Sequence, residues 1–231
     1  MEGVMTKLTP LISGMLFDLD GTLIDSLADI AAAMNLTLSR HGFAEHPVAD
    51  YRYHVGDGMD MLVYRTLPET RREDAALRES LVRAMKRIYA DQWHKQSAPY
   101  PGILPLLRRL QALPIRKGVL SNKPDEFTEV MVEHFFPEFA WDTVRGARPG
   151  VPVKPDPQAA LDILAEWQVS PSRVLYVGDT RTDILTAKNA GMPAVGVTWG
   201  FRDREELAAN GADWIIDTPE ALEALLTIPL G

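Results

Sequence analysis

Short apolar runs recur along the chain at 14–17, 117–120, 141–144, 174–177, 194–197 and 213–216, and each gives way at its end to glycine or a polar residue. Segments with helical spacing lie between most of them, and the alternation predicts a parallel sheet with crossover helices, an α/β fold. One interval breaks the rhythm. About a hundred residues separate the first run from the second, far more than a single crossover needs. Within them Leu27, Ile30, Ala31, Met34 and Leu38 mark one helix face, stopped near Gly42, and Leu77, Leu81, Met85, Ile88 and Tyr89 mark another. Thr70 with Glu73 three residues on predicts the capping box that starts the second helix.

Residues 25–97 are therefore expected to form an inserted helical module, residues 1–24 and 98–231 the sheet domain, and PYPGI at 99–103 the linker back to the sheet. An insertion directly after a strand's carboxyl end overhangs the edge where open α/β sheets bind ligands. That is the position of a lid.

Composition narrows the partners. The chain has 231 residues, 46% of them hydrophobic, enough for a core domain carrying a smaller one. Lys and Arg number 24 against 32 Asp and Glu, a formal charge of -8, so the surface repels polyanions and nucleic acid is not expected as a partner. The absence of cysteine removes disulfides, thiolate metal sites and thiol nucleophiles, and agrees with a reducing compartment. The opening MEGVMTKLTPLISG lacks the basic flank and continuous apolar segment of a signal peptide, and no stretch approaches a membrane span. A cytoplasmic protein with no membrane partner is expected.

Candidate chemistry sits where the runs end. FDLDGTLIDS at 17–26 places Asp18 and Asp20 after the first run. Asp and Gly favour turns, so the pair alone reads as well as a turn; yet one carboxylate there can attack phosphorus and a second can protonate a leaving group. VLSNKPDEF at 119–127 suits a helix start, with Ser121 or Asn122 as cap and Pro124 in the first turn, while a hydroxyl and free N–H groups at such a start also bind phosphate oxygens. Lys154 in VPVKPDP is flanked by prolines that stiffen the backbone, although a lone lysine is usually a solvated charge. In YVGDTRTDILTAKNAGM at 176–192, Thr180 and Asp183 fit a capping box and Gly191 a helix stop, which leaves Asp179 available at a strand edge to bind metal with Asp18. Four carboxylates, Asp18, Asp20, Asp179 and Asp183, share a cleft with a phosphate dianion only if cations intervene. A hard divalent ion, Mg²⁺ before others, and the Lys154 ammonium would supply them.

In this order and at these strand ends, DLDGTLIDS, Ser121, Lys154 in VKPDP and GDTRTD resemble the motifs of the haloacid dehalogenase superfamily of phosphohydrolases, and within it the phosphoglycolate phosphatases, over nearly the whole chain. The resemblance implies a Rossmann-like core under a mobile helical cap. It implies Asp18 as the nucleophile that becomes an aspartyl phosphate, and Asp20 as acid for the leaving oxygen and then base for the hydrolytic water. Ser121, the backbone at Asn122 and Lys154 would hold the phosphoryl oxygens. Mg²⁺ would be bound by Asp18, the backbone carbonyl of Asp20 and Asp179, with Asp183 a direct or water-mediated supporter. The family's dehalogenases lack the second aspartate of the first motif, so Asp20 argues against carbon–halogen chemistry. In YHVGDGMDML the Gly-x-Gly resembles the cap loop of phosphoglycolate phosphatases, and Arg52, His54 and Arg65 beside it are candidates for a substrate carboxylate, or else ordinary surface residues. GVTWGF at 196–201 is expected to turn on its glycines and to pack Trp199. His41, His46, His94 and His134 show no metal-ligand spacing.

The activity expected is that of a Mg²⁺-dependent phosphomonoesterase on a small phosphorylated metabolite, 2-phosphoglycolate first, in a monomer or homodimer. An inorganic pyrophosphatase or a sugar phosphomutase shares the core motifs. A receiver domain carrying phosphate on aspartate is the non-enzyme alternative, but receivers are smaller, place their acidic pair ahead of the phosphorylated aspartate and have no use for Asp20.

Overall fold

The computed structural model describes residues 12–226, so most of the opening stretch read for a leader, residues 1–11, lies outside the described residues. Strand β1 (Gly14–Phe17) fills the first apolar run and is buried on both faces, Met15 and Phe17 in one hydrophobic cluster and Leu16 in the other, as the two-residue period of a central strand requires. A turn then leads into β2 (Ile24–Asp25). It pairs antiparallel with β3 (Ala98–Pro99), Ile24 opposite Pro99 and Asp25 opposite Ala98, so the chain leaves the core and returns to it through one ribbon.

Between the two ribbon strands lie α1 (Leu27–Arg40), α2 (Tyr51–His54), α3 (Met59–Thr66) and α4 (Ala75–Ala90). Helix α1 buries Ile30, Ala31, Met34 and Leu38 and ends before Gly42, which takes φ +77; α4 buries Leu81, Met85 and Tyr89. The start of α4 differs from the sequence expectation. Thr70 lies in a short 3-10 turn entered from an extended Pro68, Glu73 accepts from the Tyr64 hydroxyl, and Asp74 caps the helix by accepting from Leu77 N–H at 3.0 Å. A box at Thr70 has no helix to start. Asp29, 1% exposed in the first turn of α1, accepts from Gln96 N–H at 2.9 Å and from the N–H and hydroxyl of Ser97, both at 2.8 Å. This carboxylate pins the returning chain to the outgoing helix.

PYPGI is no free linker. Pro99 belongs to the ribbon, Tyr100 N–H donates to the Leu23 carbonyl, and Gly102, at φ +88, is the cap of α5 (Ile103–Gln111). The core sheet is parallel throughout. It adds β4 (Arg116–Pro124), β5 (Thr143–Ala147), β6 (Val174–Gly178), β7 (Ala194–Val197) and β8 (Trp214–Ile216) to β1, in the order β5-β4-β1-β6-β7-β8. Helices α6 (Asp125–Phe135), α7 (Gln158–Trp167), α8 (Arg181–Ala190) and α9 (Arg204–Ala209) connect the strands after β4, and α10 (Leu222–Leu225) follows the last. This is a Rossmann-like α/β core.

Several strand boundaries depart from the apolar runs. Strand β4 continues through Ser121, Asn122 and Lys123 to Pro124, which pairs with Ala147 after a register shift, so Ser121 and Asn122 lie on an extended strand and Pro124 takes the cap position of α6. The run at 141–144 begins two residues ahead of β5 because Trp141 packs edge-on against Phe17 and near Phe136 and Phe139. Asp213 precedes β8 and accepts from Ala194 N–H at 2.7 Å. No helix among the described residues is long and apolar enough to cross a membrane.

Candidate active site

The carboxyl ends of the central strands meet at one point. Asp18 follows β1, with its own N–H donated to the Val177 carbonyl at 2.9 Å and its Oδ1 accepting from Leu19 N–H at 2.7 Å. Asp179 follows β6, and Asp183 stands in the first turn of α8. Carboxylate oxygens of Asp18, Asp179 and Asp183 all lie within 4.8 Å of one another, and all three residues are buried. Lys154, 2% exposed and followed by a cis bond to Pro155, brings its Nζ to 3.0 Å from Asp18 Oδ1 and 2.7 Å from Asp183 Oδ1.

Three acids against one ammonium leave an excess of negative charge in a buried place. Burial pushes the Asp18 carboxyl up to about 7; Lys154 pulls against that shift while Asp183 and Asp20 add to it. Asp179 is likewise raised well above the carboxylate range, by burial first and then by Asp183 and Asp18. Burial disfavours the charge on Lys154, but Asp18 and Asp183 outweigh it and hold the ammonium well above its ordinary range. All donors are hard oxygens, and ligands about 2.0–2.1 Å from a Mg²⁺ ion stand roughly 3 Å apart when adjacent and 4 Å when opposite. Oxygens within 4.8 Å of one another need at most a short contraction, or a water in place of one direct bond. These residues fit Mg²⁺.

Neighbouring backbone fixes each acid. Asp179 Oδ2 accepts from Phe201 N–H at 2.7 Å and Oδ1 from the Thr22 hydroxyl at 3.1 Å. Asp183 closes the predicted capping box with Thr180, its Oδ2 accepting from Thr180 N–H at 3.0 Å and from the Thr180 hydroxyl at 2.7 Å, while Oδ1 accepts from Lys154 Nζ. Gly21 takes φ +86, and a Cβ there would stand 2.3 Å from Asp179 Oδ2. Only glycine permits that turn. The loop 196–201 does more than turn: besides the Phe201 N–H, its Trp199 indole N–H donates to the Thr22 carbonyl at 3.0 Å.

Asp18 is also part of the wall of a cavity of about 50 Å³, shared with Asp20, Ser121, Asn122 and Lys123 from the core and with Gly56, Met85 and Tyr89 from the helical segment. The Asp20 carboxylate stands apart from the three-acid cluster. It accepts from the Ser26 hydroxyl at 2.5 Å and from Lys123 Nζ at 2.8 and 2.9 Å. Asn122 binds the Lys154 backbone on both sides, Oδ1 accepting from Lys154 N–H at 2.8 Å and Nδ2 donating to its carbonyl at 2.9 Å, and also donates to the Gly56 carbonyl at 3.1 Å. Ser121 Oγ accepts from Lys123 N–H at 3.3 Å.

The Gly-x-Gly loop docks on the core: Gly56 and Gly58 have positive φ, and Asp57 between them accepts from the Thr182 hydroxyl at 2.5 Å. The basic residues beside it are committed elsewhere. Arg52 donates to the Phe201 and Gly200 carbonyls, Arg65 pairs with Asp57 and the His54 carbonyl, and the His54 ring packs against Tyr51 and His46. None of the three is among the residues that line the cavity in this arrangement. Sequence reasoning missed Lys123, Thr22, the Phe201 N–H and the Asp57–Thr182 contact. Lys123 alone had a local signal, as a lysine within SNKP at a strand end.

The family model described as haloacid dehalogenase-like hydrolase matches residues 15–197. A phosphoglycolate phosphatase from Vibrio parahaemolyticus serotype O3:K6 is 34% identical over 217 residues, covering 90% of this chain and 94% of that protein. One from Vibrio cholerae serotype O1 is 35% identical over 208 residues, covering 87% of this chain and 91% of that protein. A crystal structure of a protein from Lactobacillus delbrueckii subsp. bulgaricus superposes with a TM-score of 0.85 at 30% identity, over 93% of this chain and 98% of that one. CbbY from Rhodobacter sphaeroides, solved in complex with phosphate, shares the fold with a TM-score of 0.76 at 24% identity, over 93% of this chain and 99% of that one. The chain belongs to the haloacid dehalogenase-like hydrolases and is a phosphatase of that family.

Proposed function

We propose that the chain hydrolyses a small phosphate monoester by transfer through Asp18, with Mg²⁺ as cofactor and 2-phosphoglycolate as the leading substrate. One observation carries the reading: Asp18 belongs both to the buried acid cluster that suits a divalent ion and to the wall of the cavity. An Asp18 oxygen attacks phosphorus as the ester P–O bond breaks, and Asp20 gives a proton to the departing alkoxide. A water then attacks the phosphoaspartate, Asp20 takes its proton, the bond to Asp18 breaks and phosphate leaves. Bound Mg²⁺ would neutralise charge on the phosphoryl oxygens and on Asp18, held by Asp18, the Asp20 carbonyl and Asp179, with Asp183 in support. Ser121, the backbone at Asn122 and Lys154 would hold phosphoryl oxygens, a task of alignment and charge stabilisation.

In this reading the helices of 25–97 are a cap closing over the core of 1–24 and 98–231, and the contacts of Asn122 with Gly56 and of Thr182 with Asp57 support a closed arrangement. The substrate choice is supported by relatives named phosphoglycolate phosphatase. A cytoplasmic setting suits a chain without cysteine. The test is phosphate release from 2-phosphoglycolate and a panel of esters with and without Mg²⁺, together with acid-quenched mass spectrometry of the Asp18 peptide. Expected are Mg²⁺-dependent turnover, a phosphorylated Asp18 and loss of both in Asp18→Asn. Full turnover in Asp18→Asn, or an isomerised phosphate ester in place of free phosphate, would overturn the proposal.

A further inference from the structure

The cavity wall combines polar and apolar side chains. Under the proposed function, on which this inference rests, the phosphoryl group meets Asp18 and Ser121, and the leaving group extends past Asp20. Asp20 holds Lys123, which sits over the Tyr89 ring, and the apolar side chains of Ile30, Leu62 and Met85 share the same wall. Among the described residues Lys123 is the cation of this wall. Other nearby cations are engaged away from it: Lys154 with Asp18 and Asp183, Arg65 with Asp57, and Arg52 with two carbonyls of the loop at 200–201.

Lys123 is 7% exposed, binds both oxygens of Asp20, and sets its Nζ over the Tyr89 ring, 4.7 Å from the centroid. It follows Ser121 by two residues on strand β4, and both line the cavity. The residue proposed to hold the phosphoryl group and this ammonium thus share one cavity wall, as a phosphate and a carboxylate on one small molecule require. We infer that Lys123 is the specificity-determining residue of this phosphatase, its ammonium bridging from Asp20 to the carboxylate of a phosphorylated short hydroxy acid.

Three features of the wall favour that class over the alternatives. A buried ammonium attracts a second anion more strongly than a solvated one does. Sugar hydroxyls placed against Ile30, Leu62 and Met85 would be buried without partners. Among the described residues Lys123 is the one cation of this lining, which matches a leaving group that carries a single anionic group.

The test compares 2-phosphoglycolate with ethyl phosphate, which has a methyl group in place of the carboxylate. The ratio of their kcat/KM values is measured with Mg²⁺ in the wild type, Lys123→Met and Lys123→Arg. Because each ratio is internal to one protein, a loss of folded enzyme cancels. The wild type is expected to favour the carboxylate ester by roughly 30-fold or more, the worth of a charged hydrogen bond. Lys123→Met brings the ratio near unity, and Lys123→Arg keeps most of it. Should Lys123→Met turn over neither ester, calorimetric binding of phosphonoacetate against ethylphosphonate reads the same ratio without chemistry. An unchanged ratio in Lys123→Met overturns the inference. So does a wild type that hydrolyses both esters equally, although it leaves the phosphatase reading standing; no turnover of any ester would sink both.

Discussion

The acid cluster predicts that Mg²⁺ and protons compete for the same oxygens. In the metal-free protein Asp18 is pushed from an ordinary 3.8 up to about 7 by burial, against the pull of Lys154, and Asp179 is raised as well. A cation must displace the Asp18 proton wherever that proton is bound. With a pKa of about 7 the apparent affinity is reduced about elevenfold at pH 6, twofold at pH 7 and hardly at all at pH 8, so it rises about tenfold between pH 6 and pH 8 from Asp18 alone. Isothermal titration calorimetry at each pH, in buffers of different ionisation enthalpy, counts the protons released. Close to one or more should leave at pH 6, and Asp18→Asn should remove the Asp18 share. Equal affinity at pH 6 and 8 with no proton release would refute the electrostatic account of the cluster.

The same shift has a sign for folding. A carboxyl with a raised folded pKa binds its proton more tightly in the native state, so its contribution is full below about pH 4 and is lost as pH rises through about 7. Three units at about 1.4 kcal/mol each set an upper bound of roughly 4 kcal/mol. Metal-free protein should therefore unfold more readily in urea at pH 8 than at pH 6, and saturating Mg²⁺ should stabilise it more at pH 8.

Three substitutions test the supports of the site. Asn122→Ala leaves the buried N–H and carbonyl of Lys154 without their partners and frees Gly56, so a loss of about 2–4 kcal/mol in urea unfolding and about tenfold weaker phosphate binding in calorimetry are expected; wild-type values of both would refute its part in aiming Lys154. Asp29→Ala strips the acceptor from Gln96 N–H and from both donors of Ser97, for about 3 kcal/mol of stability, with faster amide exchange at 96 and 97 as the local readout. Gly21→Ala forces a side chain to 2.3 Å from Asp179 Oδ2, so Mg²⁺ affinity should fall about tenfold or more in a titration while far-ultraviolet circular dichroism stays native.

What the chain discloses before folding divides along a physical line. Strands β1 and β7 coincide with their apolar runs because burial on both faces leaves a local mark. Helix faces of α1 and α4 are legible for a similar reason, through spacing alone. Signals fail where a residue's partner is distant in sequence. Thr70 and Glu73 satisfy a local pattern, yet Pro68 and Asp74 decide where α4 begins. Nothing local says that Phe201 offers its N–H to Asp179, or that Thr182 reaches Asp57, since a backbone donor has no letter and the second contact joins separate segments.

Residues 121–124 show how that limit and the chemistry are connected. Ser121, Asn122 and Lys123 read as the polar start of a helix, but they are buried on a strand at 4%, 5% and 7% exposure. Polar side chains tolerate such burial only with partners, and these come from three different segments: Asp20 for Lys123, the Lys154 backbone and Gly56 for Asn122. A strand end of ordinary apolar residues would be legible and would bind nothing. The polarity that obscures the end of β4 in the sequence is what places a hydroxyl, an amide and an ammonium together along one cavity, facing Asp18 and Asp20.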